Sequence, residues 1–393
     1  MVNKVNENTF QIGGRINSNT ADEFEKTLFQ VVGDNCREIT LDAGALEYIS
    51  SAGLRVLLKL KKKMKAEVNI INVSPENYEV LEVTGFSTLF NVKKKLREIS
   101  VEGKELIGKG GNGSVYRISE DEIIKVYTSK TTMASIEKER ELARNAFLAG
   151  VPTAITYDVV KVGDSLGIVF EMVKADVIGR KFMAKDGDFD LYARKYAELL
   201  KEIHSVELFD KGIPSTKHIY REYLDQIGDW YDRSEKEQIG RFIDQIPERD
   251  TMVHGDYHTN NIMVQGEELL LIDMAEISYG HPVFDLASSY YAHVLNARRD
   301  PNSVMRYLNV DAPTAMKLWD VIMRVYFDTE DPEQINRYNQ VIEGFCLLKS
   351  ALVPAIWVNM PPERKAEAVK AAKEFFLPRT DQIIKDVIDM FRK

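Results

Sequence analysis

Near residue 100 the chain changes its pattern of apolar spacing, and this break limits the fold more than any other feature. Before it, short apolar runs alternate with helical repeats. TFQIGGRI reads as a strand with Gly13-Gly14 as its turn. Asn17 to Thr20 offer N-cap residues to a helix that carries Phe24, Leu28 and Val31-Val32 on one face. EITLDAG reads as a buried strand and Ile49-Ser50-Ser51 as a turn, followed by a second helix over about 52–65 with Leu54, Leu57 and Leu58 at helical spacing. EVNIINV is the third strand, followed by a helix around 76–83. Strands alternating with helices predict an α/β sandwich over residues 1–99.

After the break the grammar differs. ELIGKGGNGSVYRISEDEIIKVY predicts two or three strands with a Gly-rich turn and an acidic turn at Glu120–Glu122. A polar-capped helix over about 131–149 stops at Gly150, with Pro152 just beyond. SLGIVFEMV is an apolar strand, and from about Asp188 the chain turns mostly helical, apart from short strands near 262–264 and 269–272. The linker is short, around 97–104, and there is no internal repeat.

Composition excludes several classes. The 393 residues, 44% hydrophobic and 29% charged, are those of a globular chain of two or three domains. No apolar run approaches a bilayer span, and MVNKVNENTF lacks the apolar centre of a secretory signal, so the expectation is a cytoplasmic protein with no membrane partner. Cys36 and Cys346 offer neither a disulfide framework nor a zinc site. Of the net charge of -9, residues 1–100 contribute +1 and the rest -10, and an acidic body repels phosphate backbones, which excludes nucleic acid as a partner. Lys61–Lys63 and Lys93–Lys95 read as solvated helix faces.

The chemistry gathers after residue 101. Gly108, Gly110 and Gly113 form G-x-G-x-x-G, but the chain continues as a strand from Ser114, so these glycines belong to a hairpin whose bare backbone can approach polyphosphate. Lys125 lies among apolar residues in the next strand and needs an anionic partner, such as ATP phosphates together with a helix carboxylate. Glu139 is the first choice for that carboxylate, with Glu137 and Glu141 left open. The run His254-Gly255-Asp256-Tyr257-His258-Thr259-Asn260-Asn261, then Ile272-Asp273, supplies what phosphoryl transfer needs. Asp256 suits the acceptor hydroxyl, and Asn261 and Asp273 suit Mg²⁺. Asp285 reads as a residue that orients the loop, and His254 and His258 as residues that fix it.

These motifs, in this order and spacing, make residues about 104–390 resemble the aminoglycoside phosphotransferase and choline kinase branch of the protein-kinase-like fold. The resemblance implies a bilobal α+β domain over 100–393, with a β-rich small lobe (about 101–173) and a helical large lobe (about 174–393). It further implies ATP and Mg²⁺ as cofactors, transfer of the γ-phosphate to a hydroxyl of a small molecule, and adenine held at Glu171–Val173. By the same resemblance Asp256 is the base, Lys125 the phosphate clamp, and Asn261 and Asp273 the metal ligands. Met274-Ala275 stand where protein kinases have Phe-Gly, and Tyr257 replaces a usual aliphatic. The acceptor pocket is expected between Asp256 and the helices after residue 280, among Asp320, Tyr326, Glu343 and Trp357.

Residues 1–99 resemble a STAS domain, the fold of anti-sigma factor antagonists, through Ile16–Ala21, Leu41-Asp42 and Tyr48-Ile49-Ser50-Ser51-Ala52-Gly53-Leu54. The resemblance implies a regulatory module with a protein partner and makes Ser51 a phosphorylation candidate, although Ser50 stands where that family commonly has Asp. A plain N-cap serine is the other reading of Ser51. Three functions follow: a small-molecule phosphotransferase with a STAS module, a protein serine kinase acting on Ser51 or a partner, and a non-catalytic ATP-sensing scaffold in anti-sigma-type signalling.

Overall fold

The computed structural model describes every residue except 1, 34–37, 65–66, 111–112, 186–187, 210–211, 358–359 and 393. Cys36 and the middle of the Gly-rich turn therefore lie outside the described residues. The chain divides into two compact units, one formed by residues 1–100 with 160–163 and the other by the rest.

In the first unit the strands Val2–Lys4, Thr9–Ile16, Glu38–Ile49, Glu67–Val73 and Asn91–Lys94 lie side by side in chain order. The first pair is antiparallel and the others are parallel, because a helix crosses over between successive parallel strands. Helix Ala21–Val32 buries Ala21, Phe24, Leu28 and Val32, and helix Ser51–Met64 buries Leu54, Val56, Leu57 and Leu60, so the core forms between helices and sheet.

Three expectations fail here. Gly13-Gly14 do not turn the chain but bulge within one strand, whose register against Glu38–Ile49 shifts on either side of them. A Cβ on Gly13 would lie 2.9 Å from that of Ala45, and Gly14 adopts φ 77°. The strand that begins at Glu38 also runs on to Ile49 instead of ending near Gly44. The lysine clusters divide as well. Lys61 donates to the Leu89 carbonyl from a helix, whereas Lys93 and Lys94 sit on the edge strand, where charge discourages pairing with another chain.

In the second unit the strands Ser165–Glu171, Glu122–Tyr127, Gly113–Arg117 and Glu105–Gly110 follow one another across a small-lobe sheet. Glu122–Tyr127 is flanked on both sides, so Lys125 is not an edge-strand lysine. Helix Met133–Leu148, capped by the Thr132 side chain, packs against this lobe through Ile136. The large lobe is helical around one continuous core. Set into it are the hairpin Ile262–Gln265 with Glu268–Leu271 and the two-residue pair Met252–Val253 with Ser278–Tyr279, the latter too short to be read from sequence periodicity. Among the described residues no helix is long and apolar enough to cross a membrane.

Candidate active site

Residues 254–261 hang between two anchored strands, and buried groups fix their shape. Asp285, fully buried near the start of helix Val283–Tyr290, accepts the backbone N–H of His254 and of Gly255, each at 2.7 Å. Its Oδ2 also lies 3.1 Å from Nε2 of His204. Burial opposes the charge of Asp285, but His204, His254 and the backbone donors outweigh it and hold the carboxyl below its ordinary range. The side chain thus stays ionised as the acceptor for two loop N–H groups. Tyr257 is buried and donates to the Tyr196 carbonyl at 2.6 Å, which accounts for a tyrosine where an aliphatic is usual.

This frame presents Asp256. Its Oδ2 lies 3.2 Å from Nδ2 of Asn261 and 3.2 Å from Nε2 of His258. His258 Nδ1 accepts the Asn260 N–H at 3.3 Å, so the proton sits on Nε2 and points at the carboxylate. Burial works against the charge on Asp256, yet the His258 hydrogen bond and the nearby Lys349 ammonium outweigh it, and the carboxyl is held well below the usual range. His254 is kept uncharged by burial, which outweighs its carboxylate neighbours.

Lys125 Nζ lies 2.8 Å from Oε1 of Glu139 and 3.2 Å from Oδ1 of Asp273, with Lys125 and Glu139 side chains each 15% exposed. Burial disfavours the ammonium, but the two carboxylates outweigh it and raise the Lys125 pKa. Asp273 follows strand Glu268–Leu271 in a left-handed conformation, φ 63° and ψ 70°, which is costly for a residue with a Cβ and occurs where the surrounding structure enforces it. The preceding N–H, of Ile272, donates to the Asn261 carbonyl at 2.9 Å, which joins the two carboxylate centres.

A cleft of about 450 Å³ opens over these groups. Gly108, Lys125, Glu139, Glu171, Val173, Asn261 and Asp273 all line it. Sequence reasoning missed its apolar walls, Val115 and Ile123 from small-lobe strands, Met263 from the large-lobe hairpin and Ile272 just after it, and no alternation of burial in the small-lobe strands marks the first two. Gly110 and Gly113 pair across the hairpin. The need for Gly113 is internal: a Cβ there would sit 2.2 Å from the Val126 carbonyl oxygen. Tyr326 and Asp320 have other partners. Tyr326 bonds His204 Nδ1 at 2.8 Å behind the loop, and Asp320 pairs with Arg324 on one helix face. Glu343 accepts from Tyr290 at 2.5 Å, and Trp357 packs against Tyr291. Ser51 is exposed at the first position of its helix, so the cap position falls to Ser50.

The donor set fits a hard divalent cation. Asn261 spends its Nδ2 on Asp256, leaving its oxygen, and Asp273 adds a carboxylate in the same cleft. Two oxygen donors suit Mg²⁺, which completes its shell with water and substrate phosphates. Among the described residues no three His, Cys, Asp or Glu side chains gather into an all-protein metal cage.

A bilobal fold with this loop and cleft is that of a phosphotransferase. The sequence profile of the Phosphotransferase enzyme family matches residues 105–319, and the chain belongs to that family. The STAS domain profile matches residues 1–99, so the chain also carries a STAS domain. Among individual proteins, it is 39% identical over 82 residues to BtrV of Bordetella bronchiseptica, named as an anti-sigma factor antagonist, covering 20% of this chain and 71% of that one. It is 30% identical over 95 residues to a methylthioribose kinase from Geobacillus, covering 24% of this chain but only 22% of the kinase. The solved streptomycin–ATP complex of the aminoglycoside phosphotransferase APH(2″)-IIa aligns at a TM-score of 0.45 and 15% identity, over 70% of this chain and 92% of that one.

Proposed function

We propose that the chain transfers the γ-phosphoryl group of ATP to a hydroxyl of a small molecule, and that its STAS domain receives a regulatory protein partner. One observation carries the reading: Lys125, Glu139, Asp273 and Asn261 line a single cleft, and Asn261 holds the Asp256 carboxylate through Nδ2. With Oδ2 held by two donors, Asp256 offers Oδ1 to the acceptor hydroxyl. As the new oxygen–phosphorus bond forms and the bond to the leaving ADP breaks, the hydroxyl proton passes to this carboxylate. A carboxylate kept this acidic aims the hydroxyl throughout the approach and takes its proton late. Lys125, paired with Glu139 and Asp273, would hold the donor phosphates, and the Glu171–Val173 segment with the apolar walls would take the adenine. Asn261 and Asp273 would hold Mg²⁺, which when bound offsets charge on the phosphates.

Screening Mg-ATP consumption by the full chain against a metabolite library tests this reading. Acceptor-dependent turnover supports it, and ATP binding without any turnover points to the scaffold. A second reading, a protein serine kinase acting on Ser51 or a partner, draws support from the exposure of Ser51 at a helix start, where phosphate gains from free N–H groups. Label on the chain that disappears in Ser51→Ala is its mark.

A further inference from the structure

A second cavity of about 360 Å³ opens in the large lobe and shares no residue with the cleft described above. Its polar lining is Lys201, His204, Arg249, Thr251 and Tyr326, and no Asp or Glu lines it. Lys201 and Arg249 are exposed at its rim, and no carboxylate among the described residues pairs with either one within 4.0 Å. A cavity whose lining holds two such cations and no Asp or Glu favours an anionic ligand. The remaining wall is apolar: Pro282, Phe327, Met390 and Phe391.

The polar floor connects to the catalytic loop. Tyr326 lies 2.8 Å from Nδ1 of His204, and Nε2 of His204 lies 3.1 Å from the carboxylate of Asp285. With Nε2 donating to Asp285, Nδ1 is left to accept from the Tyr326 hydroxyl, and Asp285 in turn accepts the N–H groups of His254 and Gly255. The residue after Gly255 is Asp256. A group that draws the Tyr326 hydroxyl into the cavity removes the first donor of this series.

We propose that this cavity is a second binding site, that it takes an organic anion with a carboxylate or phosphate-ester head on a compact apolar body, and that its occupancy is transmitted through Tyr326, His204 and Asp285 to the catalytic loop. The head pairs with Lys201 and Arg249 and accepts from Tyr326, while the body covers Phe327, Met390 and Phe391. The coupling half rests on the proposed phosphotransfer; the binding half does not.

Calorimetric titration of the full chain with benzoate, phenyl phosphate and benzyl alcohol, repeated on the Lys201→Ala/Arg249→Ala double variant, tests the site. At least one of the two anions should bind saturably, benzyl alcohol should not, and the double variant should weaken anion binding tenfold or more while ATP binding is unchanged. Binding of benzoate alone assigns a carboxylate head, and binding of phenyl phosphate alone assigns a phosphate ester. Failure of both anions, equal binding of the alcohol, or affinity undiminished in the double variant overturns the site. Both replaced side chains are exposed, so the fold should persist, and the melting temperature checks that it does. For the coupling, the bound anion should change Mg-ATP turnover in the wild type, and Tyr326→Phe should abolish that change while binding stays within a few-fold. A response undiminished in Tyr326→Phe, or no response in a wild type that turns over ATP, overturns the coupling. A wild type that binds the anion but never turns over ATP removes the phosphotransfer reading and leaves the site standing.

Discussion

Asn261 donates through Nδ2 to the backbone carbonyl of Asp256 at 2.9 Å and to its Oδ2 at 3.2 Å, so one amide both aims the proposed base and leaves an oxygen for the metal. The two roles separate by substitution. Asn261→Asp keeps an oxygen ligand and loses the donor, so the Mg²⁺ requirement should stay near wild type while kcat falls by about 10²-fold. Asn261→Ala should lose both. A Mg²⁺ titration of turnover checks this, and equal kcat in Asn261→Asp and wild type would remove the aiming role.

Lys125 is held by two carboxylates, and removing one should unbalance it. Glu139→Gln should leave Lys125 drawn to Asp273, raising KM for ATP and lowering kcat by roughly 10-fold or more, whereas Lys125→Ala should lose about 10²-fold in kcat/KM. The same losses in Glu137→Gln or Glu141→Gln would mean that a different carboxylate matters. Steady-state kinetics in ATP distinguishes the three positions.

Asp285 supports the loop from beneath. Replacing it with Ala orphans two backbone N–H groups and the ring N–H of His204, all in buried or half-buried surroundings. Breaking such a buried charged network costs about 3–5 kcal/mol. The denaturation midpoint of the second unit should drop accordingly, and turnover should fall with it. An Asp285→Ala chain as stable as wild type would show that the loop is held otherwise.

Acid should weaken the fold before it protonates Asp256. Burial, the largest influence on each, keeps His254, His281 and His293 below their ordinary pKa, with His281 pushed to about 3 and His293 to about 4. An unfolded histidine takes its proton near pH 6.5, so between that pH and about 4 the unfolded chain binds more protons than the folded one. Stability contributed by these neutral rings is therefore complete above about 6.5 and is lost as pH falls. His293→Asn, whose amide can replace the Nδ1 bond to the Ser289 carbonyl, should flatten the dependence by about 1.4 kcal/mol per pH unit in that window. An unchanged slope in denaturant titrations at pH 4.5–6.5 would contradict this.

The legible parts of the sequence were those set by local spacing. The strand–helix alternation before residue 100 and the position of Lys125 follow from periodicity alone. Glu139 could have been separated from its neighbours, because Ile136 and Ala143 face the lobe at helical spacing and only Glu139 shares their side. The bulge at Gly13-Gly14 escaped because its cause is a contact with Ala45 on another strand. The His204–Asp285–loop series escaped because it joins residues up to 81 positions apart, and no local signal records such a pairing. Composition points Tyr326 and Asp320 toward an acceptor pocket, but composition does not say which way a helix face points.

The account depends above all on Asp256. The full chain, incubated with γ-labelled ATP, Mg²⁺ and a metabolite pool, should move label into a low-mass phosphate ester. Asp256→Asn should bind ATP as tightly and lose transfer by about 10²–10⁴-fold. Label found only on the chain, or transfer undiminished in Asp256→Asn, would contradict it.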